Sequence, residues 1–137
     1  MPAHEPSALQ SVAPDAQTSA DRADAAAQVL EKINALLPEI EQRAQQTEDL
    51  RQIPDETVSS LDDAGFFKLL QPSQWGGYEA DPVTFYEAVR RIGSACGSTG
   101  WVSGIIGVHN WHLALFDQQA QDCLLYTSDA ADDCSIV

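Results

Sequence analysis

The chain has 137 residues, with 7 Lys or Arg against 21 Asp or Glu, a formal net charge of −14. So acidic a chain does not follow nucleic-acid phosphates or settle on an anionic membrane surface by charge. Hydrophobic residues make up 44%, enough for a core, and no run of about 18 apolar residues exists to span a bilayer.

Residues 1–24 are rich in Ala, Pro, Ser, Asp and Gln. Such a stretch buries too little apolar surface to offset the entropy of ordering, which predicts a disordered leader. It has neither a basic nor an apolar segment of the secretory kind, so the cytoplasm is the default compartment. From Ala25 to Leu37, Val29, Ile33, Leu36 and Leu37 recur at helical spacing. Pro38 opposes a continuing helix and predicts a kink or restart. A second helix then runs to about Gln52, with Ile40, Ala44 and Leu50 inward. Ile53-Pro54-Asp55-Glu56 predicts the next start, with Pro at the first helical position and acids in the first turn. That helix carries Val58 and Leu61 and stops at Gly65, a natural left-handed cap.

Gln71 to Tyr78 is a loop by its Pro and paired Gly. Asp81-Pro82 opens a helix as N-cap and first residue. It reaches about Ala95, with Phe85, Val89 and Ile92 apolar and Glu87 paired with Arg91. Gly97-Ser98-Thr99-Gly100 breaks it, with Ser98 a candidate cap for a final helix over about 99–120. Val102, Ile105, Ile106, His109, Leu113 and Phe116 share one face of that helix. All seven cations lie between Arg22 and Arg91, and the uncharged run after them reads as a buried helix lining a pocket. No strand alternation persists, so the fold class is all-α, with about five helices.

Few residues carry chemistry. Cys96, Cys123 and Cys134 are odd in number and lack C-x-x-C spacing, which indicates neither a disulfide framework nor a zinc site. His109 and His112 form an H-x-x-H pair, but no Glu or Cys is spaced to complete a metal set, so no metal is expected. His109 by itself reads as a core histidine or as a proton handler facing a pocket. Trp101, just after the Gly-Ser-Thr-Gly break, reads as a core or rim tryptophan or as a platform for a flat ligand. Gly97–Gly100 precedes a helix but lacks the lysine and the preceding strand of a phosphate loop.

Longer runs say more. Leu36-Leu-Pro-Glu-Ile, Ile53-Pro-Asp-Glu-Thr-Val, Gly65-Phe-Phe-Lys-Leu-Leu-Gln-Pro, Gln74-Trp-Gly-Gly, Cys96-Gly-Ser-Thr-Gly-Trp-Val and Val108-His-Asn-Trp-His-Leu-Ala-Leu-Phe form one ordered series. The series resembles the N-terminal helical domain of two-component flavin-dependent aromatic monooxygenases, which have the acyl-CoA dehydrogenase fold. Within them it is most similar to the oxygenase subunits that hydroxylate a seco-steroid phenol in bacterial steroid degradation. The resemblance covers residues 28–121 and implies a mechanism. An NADH-dependent flavin reductase supplies reduced FMN or FAD, O2 adds at flavin C4a, and the hydroperoxide hydroxylates a phenolic substrate ortho to its hydroxyl. It further implies that Trp101 is the cofactor-binding tryptophan. His109 is then the catalytic histidine that favours the phenolate, and the full-length form is a homotetramer.

The resemblance also implies a middle β domain and a C-terminal helical bundle that this chain does not contain. The expected organisation is a leader over 1–24, the family's helical domain over 25–121 and a non-family tail over 122–137. The tail resembles translated sequencing-adapter read-through. Such a fragment is expected to be inactive alone. Two other readings stand beside this one: an acyl-CoA dehydrogenase or other enzyme of the same fold, and a stand-alone helical interaction module.

Overall fold

The structure, a computed structural model, describes residues 18–126, with side chains as far as Cys123. Most of the expected leader (1–17) and most of the expected tail (127–137) lie outside that range. Six α-helices and two 3-10 turns make up the described part, with no strand among the described residues.

Helix α1 spans Ser19–Gln42 and so begins inside the expected leader. Its start is a capping box. The Thr18 hydroxyl accepts from Asp21 N–H at 3.2 Å, and the Asp21 carboxylate accepts from Thr18 N–H at 3.1 Å. Composition concealed this, because the box needs only two polar residues three apart. Helix α1 also runs through Pro38 without a restart. The proline removes one backbone hydrogen bond, but Ile33 and Ile40 on either side of it are both buried in the core, and the helix continues through it.

The break falls instead at Arg43, and α2 is short, Ala44–Leu50. The later break resets which face points inward. Leu50, expected in the core, is 53% exposed, and Thr47 is buried in its place. Arg51 ends α2 in the left-handed region at φ 53°. Helix α3 spans Asp55–Asp63 with Pro54 as its N-cap and not its first helical residue, so it starts one residue later than expected, and it buries Thr57 and Leu61 while Val58 stays exposed. Gly65 turns the chain at φ 89°, into the 3-10 turn Phe66–Lys68. A side chain there would be strained by the backbone alone.

Helix α4 spans Pro82–Ala95, and Asp81 caps it by accepting from Val83 N–H at 2.6 Å. Helix α5 spans Gly97–Leu113. It stops well short of the expected end near 120, because Asp117 starts a new helix by accepting from Ala120 N–H at 3.0 Å. That helix, α6, spans Gln118–Tyr126 and crosses the expected tail boundary. Helix α4 lies between α1 and α5, and the first 3-10 turn packs against α3 and α5. The fully buried side chains at the centre include Ile33, Leu61, Phe66, Leu69, Phe85 and Ile92. Phe66 stacks on Phe85 with ring centroids 5.4 Å apart.

Helices α1 and α4 are also tied by a hydrogen bond, from an arginine that an ion pair within α4 holds in place. The Glu87 carboxylate accepts from Arg90 at 2.7 Å and from Arg91 at 2.8 Å, and Arg91 reaches across to Asn34 of α1 at 2.9 Å. These bonds hold the Glu87 pKa down at about 2. A lowered carboxylate stabilises the fold above its ordinary pKa and loses that contribution as pH falls toward the folded value. Thermal melts are therefore expected to drop between pH 4.5 and 2. In Glu87→Gln that drop is expected to be shallower, and an unchanged pH profile in the variant removes Glu87 as its source.

Candidate functional site

Helix α5 reads Gly-Ser-Thr-Gly-Trp-Val-Ser-Gly-Ile-Ile-Gly-Val-His-Asn-Trp-His-Leu. Its apolar residues are too many for one stripe, so periodicity leaves its inward face ambiguous. The expected inward face was that of Val102, Ile105, Ile106, His109, Leu113 and Phe116. The structure turns it outward. Buried are Thr99, Gly100, Ser103 and Gly107, whereas Trp101 is 72% exposed, Ile106 is 52% exposed, and Val102, Ile105 and Phe116 are exposed as well.

The physical reason is close approach. A Cβ placed on Gly100 would lie 2.5 Å from the Gly93 Cα on α4, and one placed on Gly107 would lie 2.7 Å from the Phe85 ring. Backbones this near exclude any larger residue between them, and the close contact brings dispersion along the whole crossing. The bulky residues of α5 are left on the opposite side. The uncharged stretch is thus not a buried helix, as its composition suggested. It is a helix buried along its glycine edge with an apolar face exposed.

Trp101, Ile105, His109 and His112 follow one another at steps of four, four and three, so they form a line along that outer face. His109 is exposed, which excludes the core-histidine reading. Its Nδ1 lies 2.5 Å from the Ile105 carbonyl oxygen. A carbonyl only accepts, so Nδ1 is the donor in this contact, and in the neutral imidazole the lone pair then lies on Nε2. The His109 and His112 rings meet edge-on at 5.6 Å, and Trp111 lies 5.6 Å from His112. Asn110, next to His109, points the other way and donates to the Phe67 carbonyl at 2.6 Å. Among the described residues no three of His, Cys, Asp or Glu gather to hold a metal ion.

Beside Trp101 runs a groove of about 200 Å³ lined by Tyr86, Val89, Gly100, Trp101, Gly104, Ile105 and Val108. It exists because the glycines expose the flank of α4. The periodicity of α4 marked Phe85, Val89 and Ile92 but gave no sign that Tyr86 lines a groove. The groove is below the size of a drug-scale pocket, about 300 Å³ or more. It is therefore an open wall rather than an enclosure. A larger concavity, about 440 Å³, takes in Trp111, Gln74, Glu79 and Gln121 but neither His109 nor Trp101. Its polar groups bind one another: Ser73 donates to Glu79, and Gln74 donates to Gln121. No helix of the described residues is long and apolar enough to cross a membrane. The Gly97–Gly100 run forms the first turn of α5, with Cys96 as N-cap in place of the expected Ser98, and Thr99 is buried.

Residues 14–122 match the family described as acyl-CoA dehydrogenase, N-terminal domain. Over 93 residues the chain is 69% identical to the flavin-dependent monooxygenase, oxygenase subunit HsaA, of Rhodococcus jostii, covering 68% of this chain and 24% of that protein. Over 105 residues it is 67% identical to the protein of the same name from Mycobacterium tuberculosis, covering 77% of this chain and 26% of that one. The crystal structure of the HsaA monooxygenase from M. tuberculosis superposes with a TM-score of 0.73 at 65% identity, over 75% of this chain and 27% of that one. The chain thus spans about a quarter of the length of these relatives.

Proposed function

The chain belongs to the acyl-CoA dehydrogenase N-terminal domain family, and from that premise we propose that it is the N-terminal part of a flavin-dependent monooxygenase oxygenase subunit. The substrate is a phenol, of the seco-steroid kind met in steroid catabolism, and the product carries a hydroxyl ortho to the first. The cofactor is reduced FMN or FAD, delivered by a separate NADH-dependent flavin reductase. The setting is the cytoplasm, where NADH is available, and the full-length protein is a homotetramer.

The observation that carries this reading is the outer face of α5, where the exposed Trp101, Ile105 and His109 stand in one line with Ile106 exposed beside them, and His109 Nδ1 is held by the Ile105 carbonyl. The fit to a flavin is physical. Trp101 offers a flat, exposed ring beside an apolar groove, which suits a planar conjugated ring system. Reduced flavin supplies the activation of O2 from which the phenol ring takes its new oxygen. The residues of this chain do the rest. Trp101 would hold the ring system and orient it, and Ile105 and Ile106 would keep water from the site. His109 accepts the phenol proton at Nε2, and the phenolate left behind is the more nucleophilic ring. The Ile105 carbonyl, holding the Nδ1 proton, keeps the imidazole in the tautomer this step needs.

The test is turnover by the full-length protein with reduced flavin, O2 and a phenol, beside an arm with an acyl-CoA and an electron acceptor. Ortho-hydroxylation in the first arm alone is expected. His109→Ala is expected to lower kcat about a hundredfold, the lower end of general-base contributions. Acyl-CoA oxidation without hydroxylation points to the dehydrogenase instead, and an unchanged kcat in His109→Ala removes the histidine from the mechanism.

A further inference from the structure

On the α5 side, the contact between α4 and α5 is smooth. Gly100, Ser103, Gly104 and Gly107 of α5 present no long side chain to interlock with its neighbour. Helices normally fix their mutual rotation by fitting side-chain ridges into grooves. A glycine edge brings two helices close and gives Val89 and Phe85 of α4 only shallow seats, so rotation about the α5 axis is held less firmly than by interlocked side chains.

Asn110 supplies the missing constraint. Its Nδ2 donates to the Phe67 carbonyl at 2.6 Å, across 43 residues of sequence. Phe67 belongs to the 3-10 turn whose Phe66 is fully buried and stacked on Phe85. The bond therefore ties α5 to backbone anchored in the core. Its effect is felt at the next residue. The His109 ring is held by a carbonyl of its own helix, so wherever α5 turns, Nε2 turns with it. A side-chain atom stands about 6 Å from the helix axis, so a rotation of about 10° carries it about 1 Å. A misplacement of about 1 Å at a reacting group is enough to lower a rate about a hundredfold.

We infer that Asn110 is a positioning residue, whose hydrogen bond to the Phe67 carbonyl sets the rotation of α5 and so aims His109 Nε2 at the substrate. The inference rests on the reading of His109 as proton acceptor. Asn110 touches no reacting atom and acts through its neighbour.

A double-mutant cycle on the full-length protein tests it, with kcat and KM for hydroxylation as readouts. Asn110→Ala is expected to lower kcat about tenfold with KM for the phenol unchanged. Added to His109→Ala it is expected to cause no further loss, because the residue it aims is already gone. Asn110→Gln, which keeps an amide donor, is expected to recover part of the rate. Full additivity of the two alanine variants overturns the inference, as does an Asn110→Ala enzyme with the native kcat. A His109→Ala enzyme with native kcat overturns the proton-acceptor reading itself and the inference with it, so the two failures are distinguishable. Where Asn110→Ala does not fold, Asn110→Ser enters the same cycle with the same expectations.

Discussion

Gly100→Val is expected to destabilise the fold by about 3 kcal/mol or more, at the upper end of what overpacking costs. Even the first added carbon would sit 2.5 Å from the Gly93 Cα and 2.6 Å from the Gly93 nitrogen. Both are backbone atoms, so no side chain can swing aside. Relief requires α4 and α5 to separate, and separation opens gaps where Gly104 meets Val89 and Gly107 meets Phe85. Helix propensity works in the other direction but is smaller. Replacing a glycine inside a helix gains at most about 1 kcal/mol, so the clash decides the sign. The opposite glycine provides the control. A Cβ on Gly93 would meet nothing within 4 Å, and Gly93→Ala is expected to be neutral or stabilising by up to about 1 kcal/mol. Urea unfolding of the two variants measures this. Equal midpoints for Gly100→Val and the native chain would show that the helices do not approach as described, and the outward face of α5 would lose its explanation.

Gln121→Leu is expected to cost about 4 kcal/mol, from four hydrogen bonds worth about 1 kcal/mol each. Gln121 is only 6% exposed, and its amide is fully used. Oε1 accepts from Gln74 at 2.9 Å and from the Trp75 indole at 3.2 Å, while Nε2 donates to the carbonyls of Ala114 at 3.0 Å and Phe116 at 2.8 Å. Four bonds are all that an amide side chain makes. They join the 3-10 turn Ser73–Trp75 to the link between α5 and α6. Leucine fills a similar volume and leaves the partners to find water or stay unpaired. Amide hydrogen exchange is expected to speed up in α6 and the 3-10 turn while α1 and α4 stay protected. Uniform change across the chain, or none, would rule out a local latch. Gln121→Glu separates the two halves of the amide. It keeps the acceptor for the indole but sets a carboxylate against two carbonyls, so it is expected to destabilise as well.

Neither glycine contact nor amide hub was visible in the chain taken as a string. Glycine at 93, 100, 104 and 107 looks the same in sequence whether it marks a turn, a flexible link or a close crossing. It reads as a crossing only once α4 lies against α5. Gln121 sits among other glutamines at 118 and 119, and only the folded chain singles it out. The Thr18–Asp21 box and the Asp117 start of α6 are nearer to legible, since both are short polar signals at the right spacing. They were hidden by an acidic, alanine-rich setting and by an apolar run that invited a longer helix.

By itself the sequence determined that the described chain is helical, where α4 begins, and that Gly65 ends a helix. These features are local: caps, glycine turns and ordered motifs depend on residues a few positions apart. It also singled out Trp101 and His109. It set His109 on an inward face, because apolar periodicity assumes that bulky residues seek the core. Only the tertiary structure decided which face of α5 points inward. Two backbones brought within contact by facing glycines exclude bulkier residues between them, and the same close approach leaves Trp101 and His109 on the outside, where a ligand can reach them.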